Sequence, residues 1–247
     1  MTTQRRQVTV REALDRLNKA AAAVDRDLYF MEVCGTHTVN AFRSGLHSLM
    51  PANVTLLSGP GCPVCVTAQG DIDMLIELGR RDDCVLCTYG DMIRVPGESG
   101  SLEQARSNGA DVRVVYSALD AVKMAAEQPD RQFVFAAVGF ETTTPATAVA
   151  VLEAEKRELD NFFILVSHKV ILPAMRGLLD AGEVNLDGFL CPGHVSVILG
   201  AEVFRPIVEE YGQPCVIAGF EDVQIAGGMM RLVELARDRE CRLENQY

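Results

Sequence analysis

The fold class is indicated by a strand that is followed at once by a helix, in residues 29–49, which read YFMEVCGTHTVNAFRSGLHSL. The first six residues are mostly apolar and β-prone, and the apolar residues after them, Ala41, Phe42, Leu46 and Leu49, recur at helical spacing. The same alternation continues along the chain. Strands are predicted at residues 29–34, 54–58, 84–89, 112–116, 133–140, 162–167, 186–191 and 215–220, with helices between them. This pattern predicts an α/β protein with parallel sheets flanked by helices.

Capping patterns mark the starts of three helices. Thr9 with Glu12 and Ser101 with Gln104 have the spacing of a capping box, in which a Ser or Thr precedes a Glu or Gln by three residues. Thr144 stands directly before a proline, a pair typical of an N-cap and a first helical turn. Helices are therefore expected to begin after Thr9, Ser101 and Thr144.

The number of domains follows from a weak internal similarity. At an offset of 131–132 residues, residues 59–62 align with 191–194, and residues 88–91 align with 219–222. We predict two similar α/β domains with a cleft between them, the first over residues 1–112 and the second over 113–247, and the last helix packing back on the first domain. A duplicated half-barrel would give the same similarity, so a (β/α)8 barrel is the alternative.

The charge balance excludes several classes of function. The 247 residues include 23 Lys and Arg against 34 Asp and Glu, a formal net charge of -11. Such a charge opposes attraction to phosphate backbones and to anionic lipid surfaces. No apolar run approaches the roughly 18 residues needed to cross a bilayer, and the N-terminal residues MTTQRRQVTVREA lack the apolar stretch of a signal peptide. We expect a cytoplasmic protein with no nucleic-acid or membrane partner.

Eight cysteines in a reducing compartment indicate metal binding or redox chemistry rather than structural disulfides. Cys34 and His37 lie where a predicted strand ends and a helix begins. Free amide N–H groups and the helix dipole lower the pKa of a thiol in that position, and a thiolate binds soft metals or attacks electrophiles. Two alternatives stay open, a buried cysteine and histidine without chemistry, and a Cys/His hydrolase. Further thiols at neighbouring strand ends argue against the hydrolase.

Cys62 and Cys65 form a stronger pattern, because two thiols separated by two residues between a strand and a helix are typical of dithiol/disulfide redox sites. Together with Cys84 and Cys87 they also have the spacing of a structural zinc site. However, Cys84 and Cys87 are three apart in a predicted strand, so they point to opposite faces and cannot both reach one ion. Redox or iron chemistry is therefore favoured over zinc.

Polar residues follow several predicted strands at their carboxyl ends, where open α/β sheets bind ligands. Residues 141–143 stand at a helix start, where hydroxyl and N–H groups could hold an anion or the backbone of a partner. For Asp91 and Arg94 the alternative to ligand binding is a structural role, in which the two form an ion pair within a turn. The residues expected to bind the ligand are Asp91, Arg94, Glu141, Thr142, Thr143 and His194.

Several long and unusual strings occur in one order from about residue 28 to the last residue. They are FMEVCGTHT (30–38), GPGCPVCV (59–66), CTYGD (87–91), RVPG (94–97), GFETT (139–143), PGHVS (192–196), AGFE (218–221) and ENQY (244–247). In these strings and their order the chain resembles the HypD family of hydrogenase maturation factors. The resemblance implies two α/β domains of similar topology that flank a cleft, which favours two domains over the barrel.

The resemblance also implies a function, as a scaffold on which the iron of [NiFe] hydrogenases acquires two cyanides and one carbonyl. It implies a small HypC-type partner whose N-terminal cysteine shares the iron, and a HypE-type partner that delivers cyanide. By motif, Cys34 is the iron ligand, His37 its neighbour in the site, and Cys62 with Cys65 the thiol pair that handles electrons. Iron with cyanide and carbonyl ligands is low-spin, ferrous and soft, so thiolates suit it. A stand-alone cytosolic dithiol/disulfide oxidoreductase is the alternative function.

The chain departs from the family pattern in one respect. Family members continue beyond the ENQY string into a cysteine-rich region that holds a [4Fe-4S] cluster, whereas this sequence stops at Tyr247. The ligands of that cluster are absent from this chain, and none of its cysteines has a four-thiolate cluster spacing. We expect either a fragment of a longer protein or a short relative that takes electrons from another protein.

Overall fold

The computed structural model describes residues 9–247. The N-terminal stretch without a signal-peptide pattern lies partly outside these described residues. In chain order the elements are α1 (Val10–Ala21), β1 (Leu28–Glu32), α2 (Gly35–Arg43), α3 (Leu46–Leu49), β2 (Val54–Ser58), α4 (Gln69–Gly79), β3 (Cys84–Thr88), α5 (Leu102–Ser107), β4 (Val112–Val114), α6 (Ala118–Glu127), β5 (Gln132–Gly139), α7 (Thr144–Lys156), β6 (Phe162–His168), α8 (Ile171–Asp180), β7 (Gly188–Pro192), α9 (Gly193–Leu199), a 3-10 helix (Ala201–Phe204), α10 (Arg205–Tyr211), β8 (Cys215–Ala218), α11 (Asp222–Asp238) and β9 (Leu243–Asn245). Each of the predicted strands is present, and β9 is additional.

The chain folds into two compact units. The first comprises the residues up to Cys62 together with Ile171–Tyr247, and the second comprises Pro63–Val170. The chain therefore leaves the first unit after β2 and returns to it with α8. This differs from the predicted division between residues 112 and 113, which lies inside β4 of the second unit. The physical reason is that local pattern identifies strands but not their partners, and β1 pairs with the distant β7.

The first unit contains a parallel sheet with the strand order β2-β1-β7-β8-β9. Leu28 lies opposite Val54 at one interface, and Phe189 lies opposite Cys215 at another. The second unit contains a separate parallel sheet with the order β4-β3-β5-β6. Two separate parallel sheets flanked by helices confirm the predicted α/β class. The barrel alternative is wrong, because no single sheet holds the strands of both units.

The core of the first unit forms where α1 and α11 pack over β1. Leu17 of α1, Met229 of α11 and Phe30 of β1 belong to one cluster of buried apolar side chains. The last helix thus packs against α1, which is the arrangement expected for it. Burial of side chains of this size contributes about 1.5–3 kcal/mol each, so this contact is a main source of stability for the unit.

The core of the second unit has two layers, one on each face of its sheet. Val85 and Cys87 pack with Phe133 on one face, whereas Leu86 packs with Ile76 of α4 on the other. The alternation in β3 follows from the two-residue period of a strand. It places Cys84 on the face opposite to Cys87, as the sequence argument against a zinc site required.

The predicted helix starts agree with the structure in two of three places. Thr9 Oγ1 accepts from the Glu12 N–H at 3.2 Å, and the Glu12 carboxylate accepts from the Thr9 N–H at 3.0 Å, which completes a capping box. Ser101 Oγ likewise accepts from the Gln104 N–H at 3.2 Å. At α7 the N-cap is Thr143 and not Thr144, which is already the first helical residue.

Candidate functional site

The strand order of the first unit creates a crevice at the carboxyl ends of β1 and β7. From β1 the chain continues to β2 on one side, and from β7 it continues to β8 on the other. Such a reversal leaves the ends of the two middle strands uncovered, and α/β proteins bind ligands there. Cys34 follows β1 and His194 follows β7, and the Cys34 Sγ lies 3.8 Å from the His194 Nε2. Two of the predicted site residues therefore meet at this switch point.

Cys34 is the N-cap residue of α2 and is buried. The loop after β2 lies directly on its backbone, since a Cβ on Gly61 would come within 2.7 Å of the Cys34 carbonyl carbon. The Gly61 carbonyl accepts from the Gly35 N–H at 3.2 Å. Only glycine allows this approach, which accounts for a glycine directly before Cys62.

The pKa of the Cys34 thiol is raised, contrary to the prediction from its position at a helix start. Burial raises it most, and the N–H groups of Thr36 and His37, which donate to the sulfur, lower it by less. The negative charge of Glu32 adds to the increase. The prediction failed because it counted the helix dipole but not the loss of water around the sulfur. The thiol is therefore protonated at neutral pH.

His37 is fully buried and points to the turn after β8. Its Nε2–H donates to the Gly219 carbonyl at 2.9 Å, which assigns the proton of the neutral ring to that nitrogen. Burial lowers the pKa of His37 to about 4. Within residues 9–247 its Nδ1 has no hydrogen-bond partner. The ring thus presents one unprotonated nitrogen in a buried position.

His194 also lies beside the thiol, with its Nε2 3.8 Å from the Cys34 sulfur. Its pKa is lowered by burial, so the ring is neutral at pH 7 and can accept a proton at Nε2. His194 is the second residue of α9, after Gly193. A Cβ on Gly193 would overlap the ring of Tyr247, so the C-terminal tyrosine packs directly against this turn.

Glu32 is a buried site residue that was not singled out from the sequence. Its carboxylate accepts from the Cys34 N–H at 2.9 Å and from the Thr38 hydroxyl. Burial raises its pKa, and hydrogen bonds from Thr38, Cys34 and Ser58 lower it by less. The signal that could have found it is a single charged residue in the otherwise apolar run of β1.

Cys62 and Cys65 differ in exposure. Cys62 is half-buried and is the last residue of the first unit, whereas Cys65 is exposed and belongs to the second. Cys84 and Cys87, the other half of the zinc pattern, are buried in β3. Within residues 9–247 no three His, Cys, Asp or Glu side chains are grouped to hold a metal ion.

The remaining predicted residues belong to the second unit. Asp91 follows β3 and Glu141 follows β5, and these two strands are neighbours at the reversal point of that sheet. Asp91 is exposed and Glu141 is buried. Arg94 pairs with Glu103 at 3.2 Å on the surface, with the Arg94 side chain 80% exposed. The ion pair between Asp91 and Arg94 that the sequence suggested as an alternative is therefore replaced by one with Glu103.

The hydroxyls at the start of α7 are already engaged within their own turn. Thr143 Oγ1 donates to the Phe140 carbonyl at 2.9 Å, and Thr144 Oγ1 donates to the same oxygen at 3.1 Å. Thr142 is exposed. Since the two hydroxyl protons are used internally, these groups can only accept further hydrogen bonds, which disfavours the anion binding suggested for this turn.

Comparison with known proteins identifies the family. A model for HypD, described as the hydrogenase formation hypA family, matches residues 8–247. The chain belongs to the HypD family. The resemblance inferred from its sequence strings is thereby confirmed.

Curated relatives of the HypD family come from both bacteria and archaea. The hydrogenase maturation factor HypD of Escherichia coli is 42% identical over 233 residues, which cover 94% of this chain and 62% of the relative. HypD of Azotobacter vinelandii is 44% identical over 245 residues, covering 97% and 64%. A putative hydrogenase expression/formation protein of Methanocaldococcus jannaschii is 42% identical over 238 residues, covering 96% and 66%. The chain thus spans a little over three fifths of the length of these relatives.

None of the helices in residues 9–247 has the length and apolar character needed to cross a bilayer.

Proposed function

We propose that this HypD chain is a scaffold for assembly of the Fe(CN)2CO unit of [NiFe] hydrogenases, with Cys34 as a thiolate ligand of the iron. The observation that carries the proposal is the position of Cys34 at the switch point of the first sheet, with the His194 imidazole 3.8 Å from its sulfur. The buried site excludes water, and a thiolate is a suitable ligand for soft low-spin ferrous iron.

Burial makes the free thiol of Cys34 the protonated form, so iron binding must release a proton. The neutral His194 Nε2 is in position to accept that proton, because it lies beside the sulfur. The N–H groups of Thr36 and His37 donate to the sulfur and would stabilise the negative charge of the bound thiolate.

Cys62 and Cys65 are proposed as the redox pair of the site. Conversion of two thiols to a disulfide releases two electrons and two protons, which would serve a reductive step at the iron. The contact of Gly61 with the backbone of Cys34 supports this role. Gly61 directly precedes Cys62, so the contact holds the start of the thiol pair next to the proposed iron ligand. The exposure of Cys65 leaves one thiol of the pair accessible to a reductant from outside.

Two partners belong to the proposal, a small HypC-type chaperone that shares the iron and a HypE-type protein that delivers cyanide. Asp91, Glu141 and Thr142, at the strand ends of the second unit, are proposed to contact a partner or the cargo. Arg94 and Thr143 are weaker candidates, since the first is paired with Glu103 and the second donates within its own turn.

The test is an infrared spectrum of the chain co-expressed anaerobically with its maturation partners, beside Cys34→Ala. Cyanide and carbonyl bands in the wild type that vanish in Cys34→Ala are the expected result. Cys241→Ala is the matched control, because Cys241 is an exposed cysteine whose thiol donates to the Val208 carbonyl. Bands that survive in Cys34→Ala would show that another residue holds the iron.

The exposure of Cys65 also favours a second candidate, a stand-alone dithiol oxidoreductase. This activity would reduce a small disulfide and would depend on Cys62 and Cys65 but not on Cys34. Turnover that persists in Cys34→Ala and is lost in Cys62→Ala, in a chain without infrared bands, would favour it over the scaffold.

A further inference from the structure

Phe220 contacts both imidazoles of the candidate site. It follows β8 and comes shortly before α11. Its ring centroid lies 4.7 Å from that of His37 and 4.7 Å from that of His194, with interplanar angles of 33° and 29°. These separations are typical of offset aromatic stacking. One side chain thus touches two histidines that are distant in sequence.

The rest of the turn around Phe220 reinforces these contacts. The Gly219 carbonyl accepts from His37 Nε2 at 2.9 Å, and the Phe220 carbonyl accepts from Asn40 Nδ2 at 2.8 Å. The turn is therefore bound to α2 through its backbone. The Phe220 ring also lies edge to face with the ring of Tyr247, at a centroid distance of 6.4 Å, and the Tyr247 ring packs on Gly193.

His194 depends on this ring more than His37 does. Within residues 9–247 its imidazole makes one hydrogen-bond contact, with Cys34 Sγ, and that contact is long at 3.8 Å. A single long contact to sulfur does not fix the plane of an imidazole, whereas stacking on a flat ring does. The plane of the His194 imidazole beside the thiol is therefore set mainly by Phe220.

Phe220 is not explained by core packing. Apart from Phe30, the described members of the buried cluster around α1 and α11 are non-aromatic, and Phe220 is not among them. Phe220 is itself partly exposed. An aromatic ring at a strand end that stacks on two imidazoles, rather than on aliphatic groups, suits an orienting role.

From these contacts we infer that Phe220 is a positioning residue, which holds the imidazoles of His194 and His37 in the orientation that the thiol site requires. The inference rests on the proposed function where it concerns iron loading, but the placement of the two rings does not depend on iron. Removal of the ring in Phe220→Leu keeps an apolar side chain and abolishes the stacking. Phe220→Tyr keeps the ring and should restore the wild-type behaviour.

The first readout is NMR of the imidazole groups in the full chain labelled with 15N-histidine, without iron. In Phe220→Leu the ring protons of His194 and His37 should lose the shielding caused by the aromatic ring, and the His194 signals should show averaging between orientations. Phe220→Tyr should keep the wild-type signals. Phe204→Leu, which removes a fully buried phenylalanine elsewhere in the unit, should also leave them in place. Unchanged His194 signals in a folded Phe220→Leu would overturn the inference.

The second readout is the infrared spectrum of the chain co-expressed with its maturation partners. Loss of stacking should reduce the cyanide and carbonyl bands about tenfold in Phe220→Leu, with recovery in Phe220→Tyr. If the His194 signals change but the bands keep their wild-type intensity and frequency, positioning by Phe220 has no role in iron loading and the inference fails. If the wild type itself shows no bands, the proposed function fails, and the NMR result alone decides the placement of the rings.

Discussion

The backbones of Gly61 and Cys34 are in direct contact, so that a Cβ on Gly61 would lie 2.7 Å from the carbonyl carbon of Cys34. The Gly35 N–H donates to the Gly61 carbonyl from the other side of the same contact. The loop that carries Cys62 is thereby fixed against the residue that carries the proposed iron ligand. The proposed redox pair and the proposed iron ligand therefore follow the adjacent ends of two paired strands, β2 and β1.

Gly61→Ala is expected to destabilise the protein by about 1–3 kcal/mol. The atoms that the new methyl group would meet belong to the Cys34 backbone, so a side-chain rotation cannot relieve the overlap. Urea-induced unfolding measures the change. Gly177→Ala is the matched control in the same unit, because a Cβ there meets nothing within 4 Å. That variant should be unchanged or gain up to about 1 kcal/mol, since alanine is favoured over glycine within a helix. Equal stabilities for the two variants would contradict the backbone contact.

The candidate site shows which contacts a sequence can indicate. Cys34 and the Gly59–Cys65 loop could be predicted, because both are local strings that follow a strand. The resemblance indicated His37 as the neighbour of the thiol, whereas no sequence pattern indicated that the imidazole of His194, 160 residues along the chain, lies 3.8 Å from the sulfur. The pairing of β1 with β7 creates this contact, and no local pattern encodes it.

As with the site, the local features of the fold could be predicted from the sequence, and those that depend on tertiary contacts could not. The long strands were identified because apolar runs of five to eight residues stand out between helices. β9 was missed because its three residues, Leu243–Asn245, contain one apolar side chain and no β-branched one. It is a strand because β8 offers an open edge and Arg231 binds Glu244, and both causes are tertiary.

The pH dependence of stability should carry a contribution from His37. Its pKa of about 4 in the folded protein lies below the value of 6.5 for a free histidine. A lowered pKa means that stability is complete above the unfolded value and falls as the pH drops towards the folded value. Between pH 7 and pH 4 this group should account for a loss of up to about 3 kcal/mol.

His37→Gln tests this contribution, since the glutamine amide can donate to the Gly219 carbonyl without titrating. Stability curves from urea unfolding at several pH values should be flatter for His37→Gln than for the wild type between pH 7 and pH 4. The quantity compared is the slope of the free energy of unfolding against pH, so a difference in stability at pH 7 does not affect the test. Parallel curves would show that the buried imidazole does not titrate as expected.

Glu32 should give a contribution of the opposite sign. Burial raises the pKa of its carboxyl group, so the folded protein holds a proton that the unfolded chain releases. This part of the stability is complete below the unfolded pKa and is lost as the pH rises through the folded pKa. Glu32→Gln lacks the titration, so its stability relative to the wild type should increase with pH across the acidic range. A difference between the two proteins that stays constant with pH would contradict a raised pKa.

The attachment of β9 to β8 should depend on the two hydrogen bonds that Arg231 donates to Glu244 of β9. Its guanidinium donates to both Glu244 oxygens at 2.7 Å, and the two side chains are only 22% and 21% exposed. Lysine cannot reproduce two parallel hydrogen bonds to one carboxylate. In Arg231→Lys the amide hydrogen of Gln246, which donates to the Ile217 carbonyl at 2.9 Å, should exchange about fivefold faster, which corresponds to about 1 kcal/mol.

Arg237→Lys is the control for that measurement, because Arg237 makes the same two-fold contact with Asp238 at the exposed end of α11. It should leave the exchange of Gln246 unchanged. If the Gln246 amide exchanged at the same rate in both variants, backbone pairing with β8 would hold β9 without the ion pair. Faster exchange in Arg231→Lys alone would show that the ion pair holds β9, which leads directly to Tyr247, whose ring packs on Gly193 and lies edge to face with that of Phe220.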